Sequence, residues 1–495
     1  MSTGNLLLGI DIGTSGVKVG VFDTEGHLMA RAVAKYPTII PQPGWAEQDP
    51  VAWWSASQQA VIEVVGQVEA GQIQGISVVG LSPALICVDE EGEVVRPAVI
   101  WSDQRAEREI AELTAQLGPF VGFSTLPRAL WLYKNEPQDY QRTSSFFESF
   151  DYINFMLTGE VASVLLSGGR PPWVAEDISG IGLDAHKFPV RSCQLGEVVG
   201  ELGPEVARGL GLTAGVPVVA GTVDSFAAWI GTATMNKGEV CNTVGTTDGV
   251  AIVWNEPLQD VSGRIQSMPH IIDSSDDNGW IVGGAMSSGG IMLDWFVRRF
   301  YDHVADPFQR VNEDAASVTV GADGLIALPY LAGERSPIND PHARAVFFGI
   351  GEHHHRQHFA RAVLESVALA VCDVCEVIEE AGAEISQVTV AGGAARSDVW
   401  SQIKADAIGK PVFVPVVTDS SLLGAAIIAA WGVGIFPNIS KGAKTMVKLR
   451  ACFEPRPEEH AAYTQLLSFY RNLYQHVKED FAELGHLLQS LRNRK

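Results

Sequence analysis

Residues 6–23, "LLLGIDIGTSGVKVGVFD", set a carboxylate (Asp11), two hydroxyls (Thr14, Ser15) and an ammonium (Lys18) around a bend between two apolar runs. The runs read as paired strands joined by a tight glycine-containing turn. Consecutive backbone N–H groups and hydroxyls at such a bend suit phosphate oxygens, and glycine lets a ligand approach the backbone. Asp11 can hold a hydrated magnesium ion, which takes carboxylate oxygen and keeps waters. Lys18 can act as a point charge on a phosphate. A plain hairpin with a polar turn is the alternative, and one such bend is weak evidence. A second bend, "TVGTTDG" at 243–249, carries Thr246 and Thr247. Two donor loops facing each other can grip a polyphosphate from both sides.

Two more stretches bear on chemistry. "VTVAGGAARSDVWSQ" (388–402) puts Gly392 and Gly393 between a strand and a helix. Nucleotides bind outside the carboxyl ends of strands in open α/β sheets, so close approach at Gly393 would suit an adenosine. Tight strand–helix packing explains the glycines equally well. "VPVVAGTVDSFAAWIG" holds Asp224 between an apolar strand and a small-residue helix. Asp224 reads either as a helix N-cap or as a general base for a hydroxyl proton. Spacing does not decide between them.

These residues need a scaffold. The first third reads strand, strand, strand, helix, strand, with Asp49 as N-cap and Pro50 at the first helical position. That order predicts a mixed sheet with helices on its faces. From Gly238 the order restarts, which predicts two related domains, 1–236 and 237–495, with a hinge in "WIGTATMNKGE". A long helix is expected from about His353 to Ala381, and one amphipathic helix after Pro457. "SLLGAAIIAAWGVGIF" (421–436) is too short for a membrane span and reads as a buried, closely packed helix.

Composition bounds the function. The 495 residues exceed one ordinary core, and 46% hydrophobic with 19% charged residues is ordinary for a globular protein. A net charge of -23 argues against nucleic acid or an anionic membrane as partner. The N-terminal apolar run lacks a basic start and is broken by Asp11, unlike a signal peptide. Six cysteines do not make a disulfide framework, and Cys372 and Cys375 fall in an amphipathic helix. A reducing cytoplasm is the expected compartment. "GEHHHRQH" (351–358) reads as a solvated turn before a helix rather than a metal site.

The chain resembles the FGGY family of carbohydrate kinases, and its xylulokinase-like members in pattern. "GIDIGTSGVKVGVFD" resembles the first phosphate motif, and "WSDQRA" (101–106) the family's W-x-D-x-R. "DYINFMLTGE", "PYLAGERSPINDPHARAVFFGI", "HFARAVLES", "AGGAARSDVWSQIKADAIGKPV" and "LLGAAIIAA" resemble later blocks, so the likeness covers about residues 5–435. It implies an α/β fold of two ribonuclease-H-like domains, of the actin, hexokinase and Hsp70 superfamily, with an interdomain cleft. It implies ATP and Mg2+, with Asp11 and Asp224 toward the metal. Thr14, Ser15, Lys18, Thr246 and Thr247 would meet the phosphates, and Gly290, Gly393, Ala394 and Ser397 would line the nucleotide site. Asp224 would be the base, and Ser82, Pro83, Trp101, Asp103 and Ser225 would lie toward the sugar.

The chain also departs from the pattern. Leu81 stands where many members carry Gln, and Ser82-Pro83 replaces Met-His or Arg-Glu. Read as an apolar wall, this makes D-xylulose a poor expected substrate and glycerol an unlikely one. Arg128 stands where Lys is usual, and 161–182 lacks the usual pattern. The expected activity is ATP-dependent phosphorylation of a ketose such as a pentulose, a polyol or a sugar acid. A non-catalytic nucleotide switch or kinase-derived regulator is the alternative, and it would need no sugar-facing acid. The oligomeric state is open, with a homodimer one candidate.

Overall fold

The computed structural model describes residues 4–165, 175–245, 247–272 and 279–492. Its contacts divide the chain into two units. One comprises residues 1–233, 271–273 and 420–448; the other comprises 234–270, 274–419 and 449–495. A single cut at 236/237 would leave 420–448 with the second half, whereas their contacts lie with the first unit.

The first unit is built on β1 (Leu6–Gly13), β2 (Gly16–Asp23) and β3 (Leu28–Lys35), followed by α1 (Pro50–Val65) and β4 (Ile73–Gly80). Asp49 caps α1 by accepting from the Val51 N–H, with Pro50 at the first turn. Then come α2 (Leu126–Asn135), α3 (Ser149–Thr158), β5 (Val198–Glu201), β6 (Pro217–Val223) and α4 (Asp224–Gly231). The sheet order is β5-β6-β4-β1-β2-β3. β1, β4 and β6 are parallel; β2, β3 and β5 join antiparallel. β1 is buried along almost its whole length, which is why it reads as one continuous apolar run.

The second unit repeats the plan. It runs β7 (Glu239–Val244), β8 (Asp248–Trp254), β9 (Gln266–Pro269), β10 (Trp280–Met286), α5 (Gly290–Phe300) and α6 (Arg356–Glu380). It continues with β11 (Gln387–Gly392), α7 (Asp398–Ile408) and β12 (Val412–Pro415). The chain then gives α8 (Ser420–Gly432) to the first unit before β13 (Leu449–Phe453) and α9 (Pro457–Arg492). The sheet order is β9-β10-β8-β7-β11-β12-β13. β7 is antiparallel to β8 and parallel to β11, as β1 is to β2 and β4. β9 is an addition at one edge. Cys372 and Cys375 are buried free thiols inside α6. Tyr463, Leu467, Tyr470 and Tyr474 form the buried face of α9 at helical spacing.

Two buried carboxyls flank the start of α3. Glu148 accepts from the Ala84 N–H at 2.8 Å and Asp151 from the Val164 N–H at 2.9 Å. Burial pushes Glu148 up to about 8, with the Asp151 charge adding to it, and pushes Asp151 up to about 7. Both values lie above the unfolded carboxyl range, so the native state holds the extra protons. Their stabilising contribution is complete below pH ~4 and is lost as pH rises through those folded values. The thermal midpoint should therefore fall between pH 6 and pH 9, and Glu148→Gln should flatten that slope. A midpoint that rises over this range contradicts the assignment.

Candidate active site

Parallel alignment puts the carboxyl ends of β1, β4 and β6 at one edge of the first sheet, where open α/β sheets bind ligands. Asp11 pairs in register with Val79, while Ile12 and Val223 both pair with Gly80. Asp11, the turn after Gly80 and Asp224 are thus neighbours, although they stand far apart in sequence.

Asp11 is 2% exposed. Its Oδ2 accepts from Lys18 Nζ at 3.3 Å and from Ser421 Oγ at 2.7 Å. Its Oδ1 is buried and meets no donor among the described residues. Asp224 is the first residue of α4. Its Oδ1 accepts from the Ser225 N–H at 2.6 Å, and α4 has no side-chain cap. A capping side chain would reach an amide two or three residues on, so the N-cap reading does not hold. Burial and the Asp11 charge push Asp224 up to about 7, against the Ser225 N–H and Lys18. The Tyr36 phenol feels both carboxylates, is pushed above its usual range mainly by burial, and donates to the Gly13 carbonyl at 2.5 Å.

The hairpin turn is held from outside. The Gln48 amide donates to the Thr14 carbonyl at 2.7 Å, and Trp53 Nε1 donates to Gln48 at 3.0 Å. Trp101 Nε1 donates to Thr14 Oγ1 at 3.1 Å. Ser15 is exposed at the turn.

The remaining sugar-side residues divide. Ser82 lies near the Glu148 carboxyl, which lowers that group's pKa against burial, and Pro83 is buried. Leu81 is 1% exposed and packs in the core, so it is not a wall facing a ligand. Its backbone is what the turn uses: the Leu81 N–H donates to the Ile12 carbonyl at 2.9 Å. Asp103 is also displaced from its expected role. Its carboxylate accepts from the Ala46 N–H at 2.6 Å and from the Arg105 guanidinium at 2.8 Å, and that guanidinium lies over the Trp45 ring. Asp103 holds the loop that carries Trp101. Arg128 is buried and donates to the Trp101 carbonyl at 3.4 Å. Of the atypical stretch 161–182, residues 166–174 lie outside the described residues.

In the second unit, Gly245, Gly290 and Gly392 gather at the carboxyl ends of β7 and β11. The Gly290 N–H donates to the Gly245 carbonyl at 3.1 Å, and Val244 pairs in register with Gly392. Gly392 has φ +83, and a Cβ there would lie 2.3 Å from the Val244 carbonyl, so the position requires glycine. Gly393 is exposed with open space where a Cβ would stand, and Ala394 is buried behind it. Thr247 lies in the turn, its carbonyl accepting from Gly245. Thr246 lies outside the described residues. Ser397 is taken up differently from the expectation: it caps α7 by accepting from the Trp400 N–H and donates to Asn312 at 2.6 Å. Glu334, of the "GERSP" stretch, accepts from the Ser287 and Ser288 N–H groups and fixes the turn into α5.

Ser421, Gln48, Tyr36 and Glu334 also support the site. Of these, only Glu334 carries a signal in the sequence, through its motif. No group of three or more metal-ligating side chains occurs among the described residues. An aspartate oxygen without a donor nevertheless fits magnesium, which keeps several waters and needs one or two carboxylates. No helix among the described residues is long and apolar enough to cross a membrane.

Residues 6–167 match the N-terminal domain of the FGGY family of carbohydrate kinases, and residues 240–433 match its C-terminal domain. A xylulose kinase of Bacillus subtilis is 30% identical over 96% of this chain and 97% of its own. A gluconokinase of the same organism is 26% identical over 97% of each. A solved gluconate kinase from Lactobacillus acidophilus shares the fold, with a TM-score of 0.84 at 22% identity over 97% of this chain and 100% of its own. None of these comparisons supports a non-catalytic nucleotide switch.

Proposed function

Because this chain belongs to the FGGY family of carbohydrate kinases and is an ATP-dependent sugar kinase, we propose that Asp224 is its general base and Asp11 its magnesium anchor. The observation that carries this reading is the pair itself. Two carboxylates stand at the carboxyl ends of parallel strands, one with a donor-free oxygen and one raised to about 7. A base with that value is half ionised near neutral pH, where proton transfer is most effective.

Asp224 accepts the proton of the sugar hydroxyl as its oxygen bonds to the γ-phosphorus of ATP and ADP leaves. Lys18 and the Thr14–Ser15 turn hold phosphate oxygens, and the fixed hairpin keeps those donors in place. Magnesium, when bound, supplies charge neutralisation at the phosphates. The open space at Gly393 leaves room for a nucleotide against the second sheet. Trp101 and Ser225 border the sugar.

The substrate is a small open-chain sugar, and a ketopentose of the D-xylulose type is the first candidate. Leu81, Ser82 and Pro83 read as an apolar wall disfavouring D-xylulose, but Leu81 packs into the core and forms no part of such a wall. Relatives named xylulose kinase match at 30% identity across nearly the full chain. A screen of ADP release over pentuloses, hexuloses, aldonates and tetritols tests this. D-xylulose should give the highest kcat/KM. A higher value for gluconate would move the substrate to the sugar acids and leave the kinase assignment standing.

A further inference from the structure

Ser421 reaches Asp11 from α8. It is the second residue of α8, and its hydroxyl donates to Asp11 Oδ2 at 2.7 Å. Charge-assisted bonds of this kind are short and directional. The other partner of that oxygen, Lys18, lies at 3.3 Å on a stem about one-third exposed, so it fixes orientation less tightly.

The hydroxyl sits on a rigid support. A Cβ at Gly231 would lie 1.8 Å from the Ser420 carbonyl, and one at Gly424 would lie 2.0 Å from the Ala227 carbonyl. α8 and α4 therefore meet backbone to backbone. A Cβ at Gly9 would lie 2.7 Å from the Leu422 carbonyl, so α8 also rests on β1. The first turn of α8 is wedged between the strand that carries Asp11 and the helix that begins with Asp224. Small residues at these crossings are what permit the approach.

We infer that Ser421 is a positioning residue for Asp11: by occupying Oδ2 it sets the rotation of the carboxylate and keeps Oδ1 as the oxygen for the metal. This rests on the reading of Asp11 as the magnesium anchor. Ser421 acts through Asp11 and touches no reacting atom. The chain enters α8 directly from Asp419, the last residue of its second-unit segment. The aim of the carboxylate is thus set by a residue at a point where the chain changes units.

Mn2+ serves as the probe, its binding read by loss of the free-ion electron paramagnetic signal in the presence of ADP. Ser421→Ala should weaken Mn2+ binding roughly tenfold, the scale of one hydrogen bond to a charged group. It should raise the Mg2+ needed for half-maximal ADP release and leave KM for the sugar unchanged. Ser421→Thr, which keeps the hydroxyl, should bind like the parent. Ser421→Cys, of nearly the same size with a weak donor, should fall between them, and it serves should the alanine variant fold poorly. Asp11→Ala separates the two claims. If Asp11→Ala loses Mn2+ while Ser421→Ala and Ser421→Cys bind like the parent, the positioning role is wrong and the anchor stands. If Asp11→Ala binds Mn2+ like the parent, the anchor itself fails, and the role of Ser421 with it.

Discussion

Asp224→Asn should lower kcat by ~10²–10⁴-fold while leaving nucleotide affinity within about twofold of the parent, because general-base catalysis contributes on that scale. Asparagine keeps the shape and the bond from the Ser225 N–H but cannot accept a proton. The parent enzyme should also lose kcat/KM as pH falls below about 7, since Asp224 must be ionised to act and its value is raised to about 7. The residual activity of the variant should lack that acid limb. Steady-state rates across pH and ADP titrations of both proteins check the two statements. A variant that keeps most of its kcat removes Asp224 from the chemistry.

Lys404→Met should destabilise the second unit by ~3 kcal/mol, the cost of leaving a buried charge uncompensated. Lys404 on α7 is fully buried and donates to the side chain of Asn242 on β7. Asn242 in turn donates to Asp248, the first residue of β8. Burial raises Asp248 to about 6 while the Lys404 charge holds it down. Removing the ammonium raises Asp248 further and leaves Asn242 without its donor. The loss should shrink at pH 5, where Asp248 takes a proton and the buried charge disappears. Hydrogen exchange of the β7 and β8 amides should quicken by about a hundredfold at pH 8, since ~1.4 kcal/mol is tenfold. Parent-like protection in the variant contradicts the network.

What was legible in the sequence was local. The two hairpins, the capped α1, the long α6 and the Gly-Gly turn before α7 each carry their signal within a few residues. The mixed sheet followed from strand order, and the repeat from comparing two bends. What was not legible depends on contacts across long separations. Ser421 meets Asp11 across 410 residues, and Lys404 meets Asn242 across 162. The small residues of α8 announced close packing, but nothing in them names the unit they pack against. Leu81 and Asp103 misled for one reason: a residue type at a motif position does not tell which way its side chain turns. Leu81 turns into the core, and Asp103 is taken up by Arg105.

This chain should transfer phosphoryl groups only when a sugar is present. Phosphorus NMR of the purified protein with ATP, Mg2+ and D-xylulose tests it most directly, with a sugar-free control. A sugar phosphate resonance should grow one for one with ADP, with little ADP formed when sugar is left out. ADP and inorganic phosphate appearing at one rate with or without sugar, for every sugar in the screen, would contradict it.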